Sequence, residues 1–147
     1  LPEPIGVLAQ VAPESLPLLT TISLVSPAIA MGNRVILIPS ESFPSVALEL
    51  VQTFETSDIP PGVINIVTGD KDELSNQLVG HAEVDGVWCW ADSATVAKVE
   101  TTSALDLKRL WIHSDGDRDW LDPDQGEGLE FLRNATEVKN IWTPYGD

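Results

Sequence analysis

The sequence predicts an α/β fold in which helices cover both faces of a parallel sheet. Five short apolar runs alternate with four amphipathic segments over the first 113 residues. Such regular alternation requires crossover connections, which are right-handed by default and give a parallel sheet. The length of 147 residues and the hydrophobic share of 43% suit one compact domain with a core of its own.

The predicted strands are apolar runs that contain many β-branched residues and end at proline, glycine or polar residues. They cover residues 5–12, 34–39, 63–67, 86–91 and 108–113. The helices between them begin at side chains that can accept a hydrogen bond from the first turn. The candidate capping residues of the first three helices are Ser15, Ser42 and Asp70, and a fourth helix covers residues 93–103.

The strand–helix pattern ends after residue 113, where the composition changes. Residues 115–130 contain seven carboxylates and one basic residue, Arg118, with glycine and proline between them. This composition is typical of a solvated segment, so we expect an acidic linker at residues 114–134 that is mobile or loosely packed.

The last part of the chain, residues 135–147, contains a predicted strand at 136–143, where apolar and polar residues alternate. Because the parallel sheet is already complete at residue 113, we expect this strand to pair outside that sheet. Val138, Ile141 and Trp142 would then be interface residues. The alternative is that the strand folds back as an edge of its own domain.

The charge and cysteine content exclude several classes of partner. The net charge is −15, so neither nucleic acid nor an acidic membrane surface is a suitable partner. The longest apolar stretch, residues 16–31, contains prolines and serines and is too short to span a bilayer. With Cys89 as the single cysteine and no positively charged segment at the start, we expect a reducing, cytoplasmic location.

Few residues are candidates for catalysis or metal binding. Two histidines and one cysteine cannot complete a zinc site, and the sequence contains no glycine-rich dinucleotide fingerprint after its first strand. Cys89 lies inside a predicted strand, which favours a buried, unreactive thiol over a nucleophile. His113 ends the fifth strand, where α/β folds bind ligands, but a single histidine there is more often structural. Asp115, Asp117 and Asp119 resemble the start of a calcium loop, yet the required glycine and glutamate are absent further along.

Six motifs along the first 110 residues keep the order and spacing of one known family. They are Pro4-Ile5-Gly6-Val7, Pro13-x-x-x-Pro17-Leu18-Leu19, Pro27-Ala28-Ile29-Ala30-x-Gly32-Asn33, Pro39-Ser40-Glu41, Pro60-Pro61-Gly62-Val63-x-Asn65-x-Val67-x-Gly69 and Val84-Asp85. They resemble the coenzyme domain of the aldehyde dehydrogenase superfamily, and the nearest resemblance is to the truncated C-terminal pseudo-domain of aldehyde dehydrogenase family sixteen. The resemblance implies a degenerate, Rossmann-like NAD-binding domain at residues 1–113, with an oligomerisation strand in the tail.

Several positions depart from the family pattern where the coenzyme and the aldehyde would bind. The oxyanion-stabilising asparagine corresponds to Ser15, and Glu14 stands where a tryptophan is usual. Ile38 replaces a lysine that contacts the adenosine ribose. His113 stands at the position of the general base, and the domain that carries the catalytic cysteine would lie between the fifth strand and the tail.

The resemblance leaves three vestigial coenzyme-binding residues. Pro39 and Glu41 match the loop that contacts the ribose, and Ser93 matches the serine at the pyrophosphate turn, although a one-residue gap would place Asp92 there instead. A carboxylate at a helix N-terminus repels phosphate. We therefore expect no catalytic residue, no metal site and NAD binding that is at most weak.

The sequence favours a structural role over an enzymatic one. We expect a non-catalytic domain that docks onto an aldehyde dehydrogenase-like domain of the same or another chain and forms oligomers. One alternative is the residual NAD-binding portion of an NAD-dependent aldehyde dehydrogenase, an oxidoreductase. A third interpretation is a free-standing acidic adaptor with unrelated partners.

Overall fold

The parallel sheet occupies the centre of the computed structural model, which describes residues 1–143. Its elements follow in chain order as β1 (Pro2–Pro4), β2 (Val7–Val11), α1 (Pro17–Ala30), β3 (Arg34–Ile38), α2 (Pro44–Glu55), β4 (Ile64–Ile66), α3 (Lys71–Val79), β5 (Gly86–Ala91), α4 (Ser93–Ser103), β6 (Arg109–Ser114), α5 (Pro123–Gly126), α6 (Leu129–Asn134) and β7 (Thr136–Val138). The predicted α/β class is confirmed, and each predicted strand of the sheet is present.

The five strands of the main sheet lie in the order β4-β3-β2-β5-β6, and all of their pairings are parallel. The chain builds outward from β2 through β3 to β4, then returns to the other side of β2 for β5 and β6. The order therefore reverses between β2 and β5, and in α/β sheets ligands bind in the crevice beyond the carboxyl ends of the strands at such a reversal.

Both faces of the sheet are covered, which explains why its central strands are apolar throughout. Alternate residues of β5 belong to two cores. Trp88 and Trp90 pack on one face with Leu24 of α1, whereas Val87 and Cys89 pack on the opposite face with residues of α3 and α4.

Two predicted helix caps are wrong and one is confirmed. The residue before α1 is Leu16, in a left-handed conformation at φ 49°, and neither it nor Phe43 before α2 makes a side-chain cap. Ser40, rather than Ser42, accepts the Phe43 backbone N–H at 3.2 Å. Asp70 accepts the Glu73 backbone N–H at 2.8 Å, as predicted for α3. Proline at the start of α1 and α2 supplies the helical φ that a side-chain cap would otherwise help to fix.

Residues 114–134 differ from the predicted acidic linker, because they form α5 and α6 and pack on the sheet. Trp120 is 5% exposed and Phe131 is 1% exposed, both among the tryptophans of β5 and β6. The buried Arg118 guanidinium lies 5.1–5.8 Å from the centres of four aromatic rings. It donates to the Gln125 carbonyl oxygen at 2.6 Å and to Glu130 at 3.0 Å. The aromatic anchors and this arginine outweigh the repulsion that the composition predicted.

The tail strand is shorter than predicted and has a partner within the chain. Only Thr136–Val138 is a strand, and it pairs antiparallel with Pro2–Pro4 in a separate two-stranded sheet. The ladder continues one step, since Leu1 and Lys139 exchange hydrogen bonds of 3.0 Å in both directions. The tail strand therefore pairs with a strand of its own chain, and it does not form an edge of the five-stranded sheet. Residues 144–147 of the predicted tail segment, residues 135–147, lie outside the described residues.

The described helices can also be compared with the thickness of a membrane. Within residues 1–143, none is both long enough and apolar enough to cross a bilayer.

Candidate ligand cleft

A cleft of about 640 Å³ lies beyond the carboxyl ends of the parallel strands, beside the reversal in strand order. The loops that follow β2, β3 and β5 contribute to it, together with the first turns of α3 and α4. Its lining consists of Glu14, Glu41, Ser42, Asp70, Lys71, Asp72, Ala91, Asp92, Thr95 and Asp115. This is where the fold class predicts a ligand.

The Glu14 carboxylate is held by four donors from two other elements. It accepts the Ser40 hydroxyl at 2.8 Å and the backbone N–H groups of Glu41 and Ser42 at 3.0 and 3.1 Å. The Lys71 ammonium completes the set as an ion pair. Partial burial alone would raise the pKa of Glu14, but the hydrogen bonds from Lys71, the two amides and Ser40 lower it to about 2.

Lys71 is the first residue of α3 and is 8% exposed. Its ammonium also donates to the Ala12 carbonyl oxygen at 2.8 Å, and its backbone N–H donates to Glu41 at 3.1 Å. The sequence alone did not indicate a role for Lys71 in this cleft. A cation at a helix N-terminus is unfavourable with respect to the helix dipole. The lysine at the start of a predicted helix was therefore the one signal in the sequence that Lys71 needs an acidic partner.

The coenzyme-site residues expected from the sequence lie around the cleft but are not brought together on one surface. Glu41 lines the cleft and is exposed, whereas Pro39 is buried behind it. Ser93 begins α4, and its neighbour Asp92 is the helix cap, accepting the Thr95 backbone N–H at 2.8 Å. That bond and others to the first turn lower the pKa of Asp92. Ile38 is buried in the core at the end of β3.

The electrostatic character of the cleft is anionic. Six carboxylates line it, from Glu14, Glu41, Asp70, Asp72, Asp92 and Asp115, and Lys71 is the one cation that the described residues bring to this lining. Since Glu14 already neutralises Lys71, the remaining field favours neutral or cationic groups over anions. Within residues 1–143, no group of three or more His, Cys, Asp or Glu side chains is arranged to bind a metal ion.

Cys89 and His113 both lie away from this lining. Cys89 is buried in the centre of β5, and burial raises the pKa of its thiol to about 12. His113 is half-buried in β6 and stacks on Trp90 with ring centres 5.4 Å apart. Burial, followed by the Arg118 charge, lowers the pKa of His113. Neither side chain is set up as a nucleophile or general base toward the cleft.

The sequence and the fold both match one family of enzymes. A sequence model of the aldehyde dehydrogenase family matches residues 1–120, well over half of the chain. The chain belongs to the aldehyde dehydrogenase family. The resemblance predicted from the motifs is therefore confirmed, and the Rossmann-like fold class agrees with the structural matches of the family.

Individual relatives are longer aldehyde dehydrogenases, and the chain matches one part of each. The NADP/NAD-dependent aldehyde dehydrogenase PuuC of Escherichia coli (strain K12) is 37% identical over 78% of this chain and 23% of its own length. Betaine aldehyde dehydrogenase of Vibrio vulnificus (strain CMCP6) is 33% identical over 96% of this chain and 29% of its own length. The crystal structure of an aldehyde dehydrogenase C mutant of Pseudomonas syringae, complexed with NAD⁺ and octanal, matches with a TM-score of 0.74 and 32% identity, over 81% of this chain and 26% of that one.

The chain spans about a quarter of the length of these relatives. In this member of the aldehyde dehydrogenase family, the Pro39-Ser40-Glu41 loop follows β3, and Asp92 precedes α4. The particular closeness to family sixteen stays a prediction, as does the assignment of Pro39, Glu41 and Ser93 to a coenzyme.

Proposed function

We propose that this chain is a non-catalytic aldehyde dehydrogenase-like domain with a structural role. It docks onto an aldehyde dehydrogenase-like catalytic region of the same or another chain and assembles into an oligomer in the cytoplasm. The observation that carries the proposal is the cleft, whose lining has six carboxylates and a single lysine that is already paired. A coenzyme domain with such a lining is better suited to packing than to holding a dinucleotide.

The residues of the cleft do not fit NAD. The pyrophosphate of NAD is anionic and binds at a helix N-terminus through free backbone N–H groups. At α4, the Asp92 carboxylate already accepts the Thr95 N–H, and Asp70 does the same for Glu73 at α3. Ile38 stands where the family has a lysine that binds the ribose, and the loss of such a charge-assisted hydrogen bond weakens affinity by a factor of about 10 to 100.

The nucleophile that aldehyde oxidation requires is not supplied by Cys89. A thiolate is the reactive form of cysteine, and a pKa of about 12 leaves this thiol protonated at neutral pH. Cys89 also lies inside the sheet, on the face packed against α3 and α4. The residues of this chain therefore favour a role without acyl transfer.

The docking part of the proposal rests on the tail. Val138 is 73% exposed, Ile141 67% and Trp142 91%, next to the exposed Leu1. Apolar and aromatic side chains of this size anchor interfaces when a partner buries them. Of these residues, Val138 lies in the two-stranded sheet of β1 and β7, to which residues 1–143 add no third strand, and open strand edges are templates for further strands.

Calorimetric titration of the chain with NAD tests the proposal against its alternative. We expect no binding heat at micromolar concentrations, because the cleft repels phosphate. The alternative, a residual NAD-binding portion of an oxidoreductase, is supported by Glu41, which lines the cleft and which the family resemblance assigns to a ribose contact. Micromolar affinity for NAD would favour that alternative and overturn the non-catalytic assignment.

A further inference from the structure

The four donors around Glu14 do not belong to the element that carries Glu14. Ser40, Glu41 and Ser42 form the loop between β3 and α2, and Lys71 begins α3, whereas Glu14 follows β2. The donors from these two elements thus converge on a carboxylate that a third segment of the chain supplies. Backbone amides, a hydroxyl and an ammonium converging on one point are the usual donors of an oxyanion-binding site.

The donors have few other partners at this point. The Ser40 hydroxyl donates to the Glu14 carboxylate, and its contact with the Glu14 carbonyl oxygen is longer, at 3.4 Å. The Lys71 ammonium retains the Ala12 carbonyl oxygen, which keeps it in place when Glu14 is removed. Without the carboxylate, a buried cation and two amide N–H groups would face the space that it leaves.

We propose that Ser40–Ser42 and Lys71 form a binding site for small monoanionic carboxylates, which Glu14 occupies as an intramolecular ligand. In the native chain this side chain excludes external anions from the site. The proposal concerns the donors alone and does not depend on whether the domain is catalytic or docks onto a partner.

The surroundings of the site define which anion it takes. Glu41, Asp70 and Asp72 line the same cleft, so the site tolerates the single charge of acetate or formate and disfavours the higher charge of phosphate. The space that the Glu14→Ala variant opens is the volume of a carboxymethylene group, which acetate fills. We therefore expect acetate and formate to bind and inorganic phosphate to bind at least tenfold more weakly.

The test is chemical rescue of Glu14→Ala by acetate at constant ionic strength, with chloride as the replaced anion. We expect acetate to raise the melting temperature of this variant by about 3–8 °C near saturation, through preferential binding to the folded state. Saturable shifts of the Glu41 and Ser42 amide signals in nitrogen–proton correlation spectra should follow the same concentration dependence. Native chain and Glu55→Ala, which removes an exposed carboxylate at the end of α2, should show neither effect.

Two further variants keep the test decisive. Glu14→Gln retains an oxygen that the amides can donate to, so acetate should have no effect on it. Glu14→Ala combined with Lys71→Met should bind acetate at least tenfold more weakly than Glu14→Ala alone. A folded Glu14→Ala variant whose amides do not respond to acetate overturns the proposal. The proposal is also overturned if Glu14→Ala is unfolded and acetate fails to refold it. An acetate response of Glu55→Ala equal to that of Glu14→Ala would overturn it as well.

Discussion

Asn33 and Ala135 are joined by a buried hydrogen bond of 2.8 Å, from the Asn33 side-chain amide to the Ala135 carbonyl oxygen. The same amide group donates to the Ala28 carbonyl oxygen at 3.0 Å, and the Asn33 side-chain oxygen accepts the Gly6 N–H at 3.0 Å. One side chain thus connects the end of α1, the entry to β2 and the junction of α6 with β7. The tail and the parallel sheet are linked at this point.

Replacing Asn33 with alanine should lower the free energy of unfolding by about 2–4 kcal/mol, because buried backbone groups lose their partner. Urea denaturation measures the loss. Asn65→Ala is the matched control, since Asn65 is exposed and also donates to two carbonyl oxygens. Its cost should stay below about 1 kcal/mol. Equal losses for the two variants would show that burial of the Asn33 network contributes nothing.

The acidic segment should behave as part of the folded core. Phe131→Ala removes a ring that packs against Trp88, Trp111 and Trp120, and it should cost about 3–5 kcal/mol. Leu129→Ala, two residues earlier and 66% exposed, should be nearly neutral. Amide hydrogen exchange of the native chain should show protection around Trp120 and Phe131. Exchange as fast as in an unfolded peptide would restore the linker interpretation.

Stability should depend on pH through His113. Burial, followed by the Arg118 charge, lowers the pKa of His113 below its ordinary value of 6.5, while Glu130 and Asp117 oppose that shift. The unfolded chain therefore binds this proton at a higher pH than the folded chain. The contribution of neutral His113 to the free energy of unfolding is fully present above about pH 6.5. It is lost as the pH falls toward the lower pKa that His113 has in the folded chain.

The measurement for His113 is the melting temperature of native chain and His113→Gln between about pH 7.5 and 5. We expect the native value to fall more steeply below about pH 6.5 than that of the variant. His81→Gln, at an exposed histidine, serves as the control and should follow the native curve. A parallel decline of native chain and His113→Gln would contradict the assignment.

Cys89 should be unreactive in the folded state. Burial raises its pKa to about 12, so both access and thiolate formation are limited. A chromogenic disulfide reagent should label native chain at a rate that increases only as denaturant unfolds it. A chromogenic ester should not be turned over. Fast labelling of native chain, together with ester turnover that Cys89→Ser abolishes, would identify a nucleophile after all.

The strands of the main sheet could be predicted from sequence because burial on both faces leaves uninterrupted apolar runs, as in Gly86–Ala91. The pairing of Pro2–Pro4 with Thr136–Val138 could not, since three residues with two prolines carry no periodicity and their partner lies at the other end of the chain. The ion pair of Glu14 with Lys71 depends on strand order in the same way. Around Trp120, composition was misleading because a few aromatic contacts outweighed the charge density.

The exposed side chains of the tail, Val138 and Ile141, should mediate association without stabilising the domain. Val138 and Ile141 are largely exposed, and the ladder of β7 with β1 uses backbone groups. The double change Val138→Asp with Ile141→Asp should therefore weaken self-association at least tenfold in sedimentation velocity, because two carboxylates would have to be desolvated in the interface. Its melting temperature at low concentration should stay within about 2 °C of the native value.

Leu48→Asp provides the control for this prediction, since Leu48 is 46% exposed on α2, which leads into β4 at the opposite edge of the main sheet from β6. It adds the same kind of charge to an apolar surface residue and should leave association unchanged. If the double variant associates like native chain, the tail is not the interface. If it instead lowers the melting temperature of the monomer by many degrees, Val138 and Ile141 belong to the packing of the domain itself, and docking must be sought on another surface.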